Sequence, residues 1–401
     1  MTFLDRLEPD ARRWLVGALF VGIGQQLFVG LRNQYLDELA LPAHAITAIQ
    51  GAGASAGLLA GLLGLWALRR LPPRVTLSLG LVVNAAGYAL QVLGASAGVM
   101  LVGGALAGLG IQFLTMAVAP FLARASSTES RVLVFSANTL ALQTLPGIVA
   151  PALGGHLQEA AARSLGSGLA GYRVALALGA ISVVVGLLAT AFLRQTHAAP
   201  ATTTGLLRLR EPRRGLMLLA PDALIFFGTG LSVPFLQLYF KQGYGLSPGS
   251  IGWIYAAMMV GGALAQLAAP GLARRVGSRR VLLGAHALCV PLFAVLALSS
   301  SLSMAVPAAV ARQGLMSLAL PLFASFLHTS VRDEDSGPIA SYRMLIQSAA
   351  WAFANFLAGA LIDLDGGHFR VVMLASSAAY GAAALVGLAV YPRATPSDKG
   401  A

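Results

Sequence analysis

Residues 75–123 read VTLSLGLVVNAAGYALQVLGASAGVMLVGGALAGLGIQFLTMAVAPFLA, without one charged side chain. A helix rises 1.5 Å per residue and needs roughly 20 apolar residues to cross a bilayer. The stretch is long enough for two crossings, and Gly94-Ala95-Ser96-Ala97-Gly98 supplies a turn in its middle. Charges fence off comparable windows elsewhere: 14–31, 39–68, 132–158, 174–193, 223–240, 242–273, 281–311, 313–331, 344–362 and 371–392. The stretch 281–331 turns near Ser299–Ser303 and is interrupted only by Arg312. Together these windows predict twelve spans. Barrel strands need only about 9–11 residues, and lipid leaves no unpaired backbone group solvated, so runs of this length predict an all-α membrane protein.

Composition agrees with that class. The chain is 57% apolar and 10% charged, where a soluble domain carries about 25% charge. The net charge of +12 does not point to nucleic acid, because the basic residues sit at the ends of apolar spans rather than on one face. With loops assigned alternately from a cytoplasmic N-terminus, five of the 27 Lys and Arg fall outside: Arg32, Arg163, Arg173, Lys241 and Arg370. Arg312 falls within a span, which leaves 21 on the cytoplasmic side, Arg343 and Arg332 among them. This positive-inside bias predicts that both termini are cytoplasmic. Met1–Arg13 mixes Asp5, Glu8 and Asp10 with arginines and has no short apolar core before a cleavage site, so it reads as a cytoplasmic lead-in and not a secretory signal. The single cysteine, Cys289, excludes an intrachain disulfide.

The longest hydrophilic interval, 194–214, is rich in Ala, Thr and Pro with a basic end, and reads as a flexible cytoplasmic linker. It separates a six-span region, 1–193, from a second, 215–401. The halves read as copies. Ile46-Thr-Ala-Ile and Ile251-Gly-Trp-Ile open comparable spans shortly after Pro42 and Pro248. Those spans end at Arg69-Arg70 and Arg274-Arg275, and Pro120-Phe-Leu finds its counterpart in Pro321-Leu-Phe. Parallel repeats of this size around a midplane site are a transporter architecture.

The loops after spans two and eight carry a more specific likeness. The second reads Pro270-Gly271-Leu272-Ala273-Arg274-Arg275-Val276-Gly277-Ser278-Arg279-Arg280; the first reads Gly64-Leu-Trp-Ala67-Leu68-Arg69-Arg70-Leu-Pro-Pro-Arg74. With twelve spans split six and six, they resemble the loop signature Gly-x-Leu-Ala-Asp-Arg-x-Gly-Arg-Arg of the major facilitator superfamily. Two pseudo-symmetric six-helix bundles are what that resemblance implies. Leu68 and Arg274 stand where the family has an acid that helps lock the halves on the cytoplasmic side. The resemblance implies a gating role for these loops, with Arg69, Arg70, Arg275, Arg279 and Arg280 as the candidates; Arg275, Arg279 and Arg280 are expected to pair with acids such as Asp333, Glu334 and Asp335 in the state closed to the cytoplasm. The stretches Pro120–Ser136 and Pro234–Lys241 are similar to a bacterial, drug-exporter-like branch. Gly147, Pro151, Gly154 and Gly155 in span five resemble the helix-bending Gly/Pro element of antiporters.

Arg312 is the leading candidate for chemistry. It lies about ten residues into the tenth span, too deep to snorkel, where an unpaired guanidinium costs at least ~2.5 kcal/mol. It either meets a substrate anion in a wet cavity or ties helices together through backbone oxygens. Asp222, near the start of span seven, is a proton-coupling candidate if buried; the plainer reading is an acid at the positive end of a helix. His286 in span nine titrates near neutrality when exposed, or packs through a hydrogen bond.

In the family's cavity-lining spans, polar side chains form a further candidate set: Gln25, Gln26, Gln112, Thr115, Asn138, Gln143, Thr229, Gln313, Gln347 and Asn355. Each is a substrate contact or interhelical glue. Phe226, Phe227, Trp253, Tyr255, Met258, Met259 and Trp351 offer an adaptable apolar surface or ordinary packing. Tyr239 and Tyr244 read as interfacial anchors. No metal-ligand spacing, phosphate loop or nucleophile–base arrangement is present in the sequence, so no cofactor, metal or enzymatic activity is expected.

The expectation is a monomeric secondary transporter in a bacterial inner membrane, moving a small organic solute by alternating access. A proton is the candidate coupling ion, and export of amphipathic compounds is the direction the resemblance implies. Uptake of an organic anion or sugar, with Arg312 binding the charge, is the rival within transport. A sensor that keeps the fold without translocation is the rival of another class.

Overall fold

Proline opens long helices at Pro9, Pro73, Pro212 and Pro248, and glycine directly follows helix ends at Gly94, Gly166 and Gly277. The computed structural model describes residues 7–94, 96–127, 129–193 and 209–392, without the side chains of 62–69, 328, 329, 333, 336 and 337. Residues 194–208 of the expected linker and the side chains of Arg69 and Asp333 therefore lie outside the described residues. Within the described residues the chain forms α1 (Pro9–Glu38), α2 (Ala43–Arg70), α3 (Pro73–Leu93), α4 (Ala97–Arg124), α5 (Arg131–Leu165) and α6 (Gly168–Ala191). There follow α7 (Pro212–Tyr244), α8 (Pro248–Val276), α9 (Ser278–Leu298), α10 (Leu302–Ser330), α11 (Ser336–Leu364) and α12 (Arg370–Val390). Eleven of these are long and apolar enough by their described residues to cross a membrane, α2 being the exception.

The helices overrun the charge-free windows. Helix α1 starts on a proline, which has no N–H to leave unpaired in a first turn, and keeps Arg13 and Arg32 inside it. Ser96 caps α4 by accepting from the Val99 amide at 3.4 Å, and Gly94 closes α3. Ser301 precedes α10 in the same way, without a side-chain bond. In the quoted basic loop, Gly277 takes φ +90° between α8 and α9, a left-handed conformation that needs glycine.

The chain divides into two compact units: Met1–Thr202 with Phe240–Ala256, and Thr203–Tyr239 with Ala257–Ala401. Inside the first, α1 packs on α5 and α6, α3 on α4 and α6, and α2 on α4. Inside the second, α7 packs on α11 and α12, and α9 on α10 and α12. Helix α8 meets α10 where Gly261 faces Val310 and Gly262 faces Ser317. The second plan is the first with every helix number advanced by six, which is the structural counterpart of the sequence repeat. Small residues make the pairings close. Gly108 of α4 sits directly on the Gly53 backbone of α2, and Gly87 of α3 on Ala107 of α4, where a side chain would collide. Leu59, Leu153, Leu188, Leu267 and Leu385 stand exposed, as a lipid-facing surface requires.

Two helices are locally irregular. In α5, Leu140–Thr144 is a π-helical turn just before Pro146, and Gly22 of α1 packs on the Leu142 carbonyl. In α7, Val233–Phe235 is a 3₁₀ turn containing Pro234, which lacks the N–H needed to continue the helical ladder. Just beyond that break the chain passes into the first unit. There Lys241 pairs with Asp37 at 2.8 Å and Glu38 at 3.3 Å, and Gln242 donates to Asp37 at 2.7 Å. The Gly249 amide donates to Glu159 at 2.8 Å, and the Trp253 indole N–H donates to His156 Nε2 at 3.0 Å. Tyr239 is buried and donates its hydroxyl to the Leu296 carbonyl at 2.7 Å, so it holds α7 to α9 and is no interfacial anchor.

Candidate functional site

Four helices of the second unit converge on Arg312. Ten residues into α10, the guanidinium is 2% exposed. Its Nη2 donates to the Tyr380 hydroxyl on α12 at 2.7 Å and to Thr229 Oγ1 on α7 at 3.1 Å. Its Nη1 reaches Gln313 Oε1 at 3.4 Å, and its Nε is buried without a partner. The rings of Phe293 and Tyr380 lie 5.4 and 5.9 Å from the guanidinium carbon, close enough for cation–π attraction. All its hydrogen-bond partners are neutral. Backbone carbonyls, one of the two readings of this residue, are not among them.

Arg312 lines a cavity of about 230 Å³ together with Asp222, Phe226, Thr229, His286, Gln313, Met316, Phe323, Arg343 and Trp351. Phe226, Met316, Phe323 and Trp351 give its lining aromatic and thioether surface, and Arg312, Thr229 and Gln313 add polar groups. Thr229 and Tyr380 share a 2.6 Å hydroxyl–hydroxyl bond, and Gln313 Nε2 donates onward to Ser317 at 3.3 Å. His286 is buried, with Nδ1 unpartnered. A larger groove of about 470 Å³ along Ala265, Leu288, Gly314 and Leu318 offers only apolar side chains and suits lipid.

At the other end of the cavity lies an ion pair that the charge windows did not bring together. Arg343, assigned to a cytoplasmic segment, stands inside α11 and grips Asp222 with two bonds, Nε to Oδ2 at 3.0 Å and Nη2 to Oδ1 at 3.3 Å. Gln347 Nε2 donates to the same Oδ2 at 2.8 Å. Asp222 is therefore an ion-pair partner and not a free acid on a helix dipole. The Arg343 guanidinium carbon stacks 4.7 Å from the Phe323 ring centre. Tyr391, just past α12, packs its ring against Phe323 and Phe326 near this pair. The signal for Arg343 was its spacing from Gln347 and Trp351, which puts all three on one face of a helix.

The remaining candidates stand elsewhere. Asn138 accepts from the Trp14 indole at 2.8 Å and ties α5 to α1, and Gln143 is exposed on the π turn. Gln25, Gln26 and Gln112 are half-buried in the first unit, and the exposed Thr115 bonds the Ile111 carbonyl on its own helix. Asn355 donates to Trp351 O one turn back, outside the cavity lining. Phe227 stacks on Phe353, and Trp253 binds His156, so neither joins Trp351. Of the gate residues, Arg279 caps α12 through the carbonyls of Leu388 and Tyr391 at 3.0 and 3.1 Å. Arg70, Arg275 and Arg280 are exposed. Glu334 pairs with Arg210 at 2.9 Å, and Asp335 accepts from the Arg210 amide, in place of the expected arginines.

The whole chain has the fold of known transporters. It matches the crystal structure of the nucleoside transporter NupG with TM-score 0.76 at 12% identity, covering 96% of this chain and 100% of that one. It matches the D-xylose-proton symporter with TM-score 0.74 at 17% identity, covering 98% of each chain. A bacterial homolog of the human lysosomal transporter Spinster, in its inward-facing and occupied conformation, matches with TM-score 0.76 at 14% identity, covering 97% of each. No curated protein sequence matches the chain. A sequence profile described as Major Facilitator Superfamily matches residues 222–401, the region that builds the Arg312 cavity. Residues 222–401 thus resemble the Major Facilitator Superfamily in sequence, and the chain as a whole shares the fold of these solved transporters.

Proposed function

We propose that the protein moves a small amphipathic organic solute across the membrane by alternating access, with the Arg312 cavity as its substrate site. One observation carries this reading. A small set of hydrogen-bonded polar groups (Arg312, Thr229, Gln313) lines a cavity of about 230 Å³ together with the aromatic and thioether side chains of Phe226, Met316, Phe323 and Trp351. A mostly apolar lining with a few placed polar groups is how small-molecule sites fix orientation while burying most of a ligand. Structural relatives named for a nucleoside and for D-xylose and protons have this fold, so the fold admits such solutes without selecting among them.

Export from the cytoplasm is the direction we assign, on the likeness of the stretches around Pro120 and Pro234 to exporters. The reading puts both termini on the cytoplasmic side of a bacterial inner membrane, and the excess of arginine in alternate loops supports that orientation. A proton is the proposed coupling ion, with Asp222 as its acceptor, because protonation would release Arg343. Proteoliposomes of known orientation, loaded with radiolabelled amphipathic solutes under an imposed proton gradient, test the proposal. Saturable flux that Arg312→Ala abolishes is the expected result. Saturable binding without translocation would instead identify a sensor.

A further inference from the structure

We infer that the solute of this cavity is an amphipathic monoanion, its acid group seated on Arg312. The inference rests on the cavity being the substrate site and adds the charge of what enters it. Four titratable groups line the cavity: Asp222, His286, Arg312 and Arg343. Asp222 is committed to Arg343 through two bonds and to Gln347 through a third, so that pair is neutral as a whole. His286, its Nδ1 buried without a partner, is an imidazole and supplies no negative charge. Arg312 is left as an uncompensated positive charge at 2% exposure, with hydroxyl and amide oxygens around it and no carboxylate among the described residues. A buried charge without a counter-ion is strongly unfavourable, and a ligand that supplies the counter-ion removes the penalty.

The hydrogen bonds are arranged to receive one acid group. The guanidinium carries five N–H donors, and its contact with Gln313 is the longest, at 3.4 Å. Thr229 and Tyr380 each accept from Nη2 and share one bond, which consumes one of their two hydroxyl hydrogens. The other remains for an acceptor beside the guanidinium. A carboxylate that displaces Gln313 from Nη1 gains a charge-assisted bond and this hydroxyl together. The opposite end discriminates against a second charge. Asp222 lies seven residues from Thr229 on α7, about 10 Å along the axis. A dianion reaching that far would meet its carboxylate, while Phe226, Met316, Phe323 and Trp351 receive an apolar body.

The test is equilibrium binding of tritiated 4-phenylbutyrate to the full-length protein in detergent, with competitors of matched shape. Unlabelled 4-phenylbutyrate should compete; its amide should compete roughly tenfold to a hundredfold less well, the loss of one charge-assisted contact. Phenylbutylamine should not compete, and phenylsuccinate should compete more weakly than the monoacid. Arg312→Ala should abolish binding and Arg312→Lys should keep part of it. Asp222→Asn, which frees Arg343, should raise affinity for phenylsuccinate above that for the monoacid. Acid and amide binding equally, both lost in Phe226→Ala, would overturn the monoanion while leaving the cavity as the site. Binding of neither probe, with transport unaffected in Arg312→Ala, would overturn the cavity as well.

Discussion

At Arg312 one guanidinium is held in mid-helix by neutral oxygens and two aromatic faces, ready for a counter-ion. Arg312→Ala removes an uncompensated charge and should leave thermal stability in detergent near wild type while transport is lost. Arg312→Lys should restore transport only in part, because an ammonium cannot reproduce the planar fork that reaches Thr229, Tyr380 and Gln313 together. A large fall in the melting temperature of Arg312→Ala with wild-type flux would show helix glue instead.

Asp222 is expected to behave in the opposite way. Its removal strands Arg343 beside Phe323, so Asp222→Ala should destabilise on the order of 3 kcal/mol. Asp222→Ala combined with Arg343→Met should recover most of that loss, since an apolar pair leaves no charge behind. Thermal denaturation of the single and double variants decides it; an additive loss would mean that the two side chains do not form a unit.

Among the elements, α7 is the one that changes allegiance. The Pro234 turn interrupts its hydrogen-bond ladder, and the segment beyond it is anchored in the first unit by Lys241 on Asp37 and Glu38. Lys241→Glu puts three acids together and should loosen residues 240–256 from α1. Hydrogen exchange followed by mass spectrometry should then show faster exchange in peptides that include the Gly249 amide, now bonded to Glu159. Unaltered protection would mean that Trp253–His156 and the glycine contacts suffice. The contact between α2 and α4 gives a harsher outcome. Gly108→Leu drives a side chain into the Gly53 backbone, and the purified protein should run as aggregate on size exclusion.

For the molecule as a whole, the proposed topology puts the 194–214 segment in the cytoplasm, as the arginine distribution would favour. In a Cys289→Ser background, Thr202→Cys should react with a membrane-impermeant maleimide in inside-out vesicles and stay unlabelled in intact cells. Labelling from outside would invert the topology. The same scale shows what was legible beforehand. The charge-free windows located the helices because spanning length is a local property, and the turns at Gly94 and Ser301 followed from residues adjacent in the chain. The six-and-six repeat was legible as well, because both copies obey the same packing plan.

The cavity was legible only in part. Arg312, Thr229, Gln313, Gln347, Asp222, His286 and Trp351 stood out as polar or aromatic groups in apolar spans, but Asn138, Gln143 and Asn355 stood out equally and meet other partners or none of the cavity. In a soluble helix the apolar stripe names the buried face; here lipid and core are both apolar, so periodicity does not say where a side chain points. Tyr380 and Arg343 escaped for the same reason. Their roles exist only through partners 68 and 121 residues away, Arg312 and Asp222. By itself the sequence determined that the chain is helical, where its spans lie and that it is doubled. The tertiary structure alone decided which polar groups meet, which acid neutralises which arginine, and that Arg312 has none among the described residues.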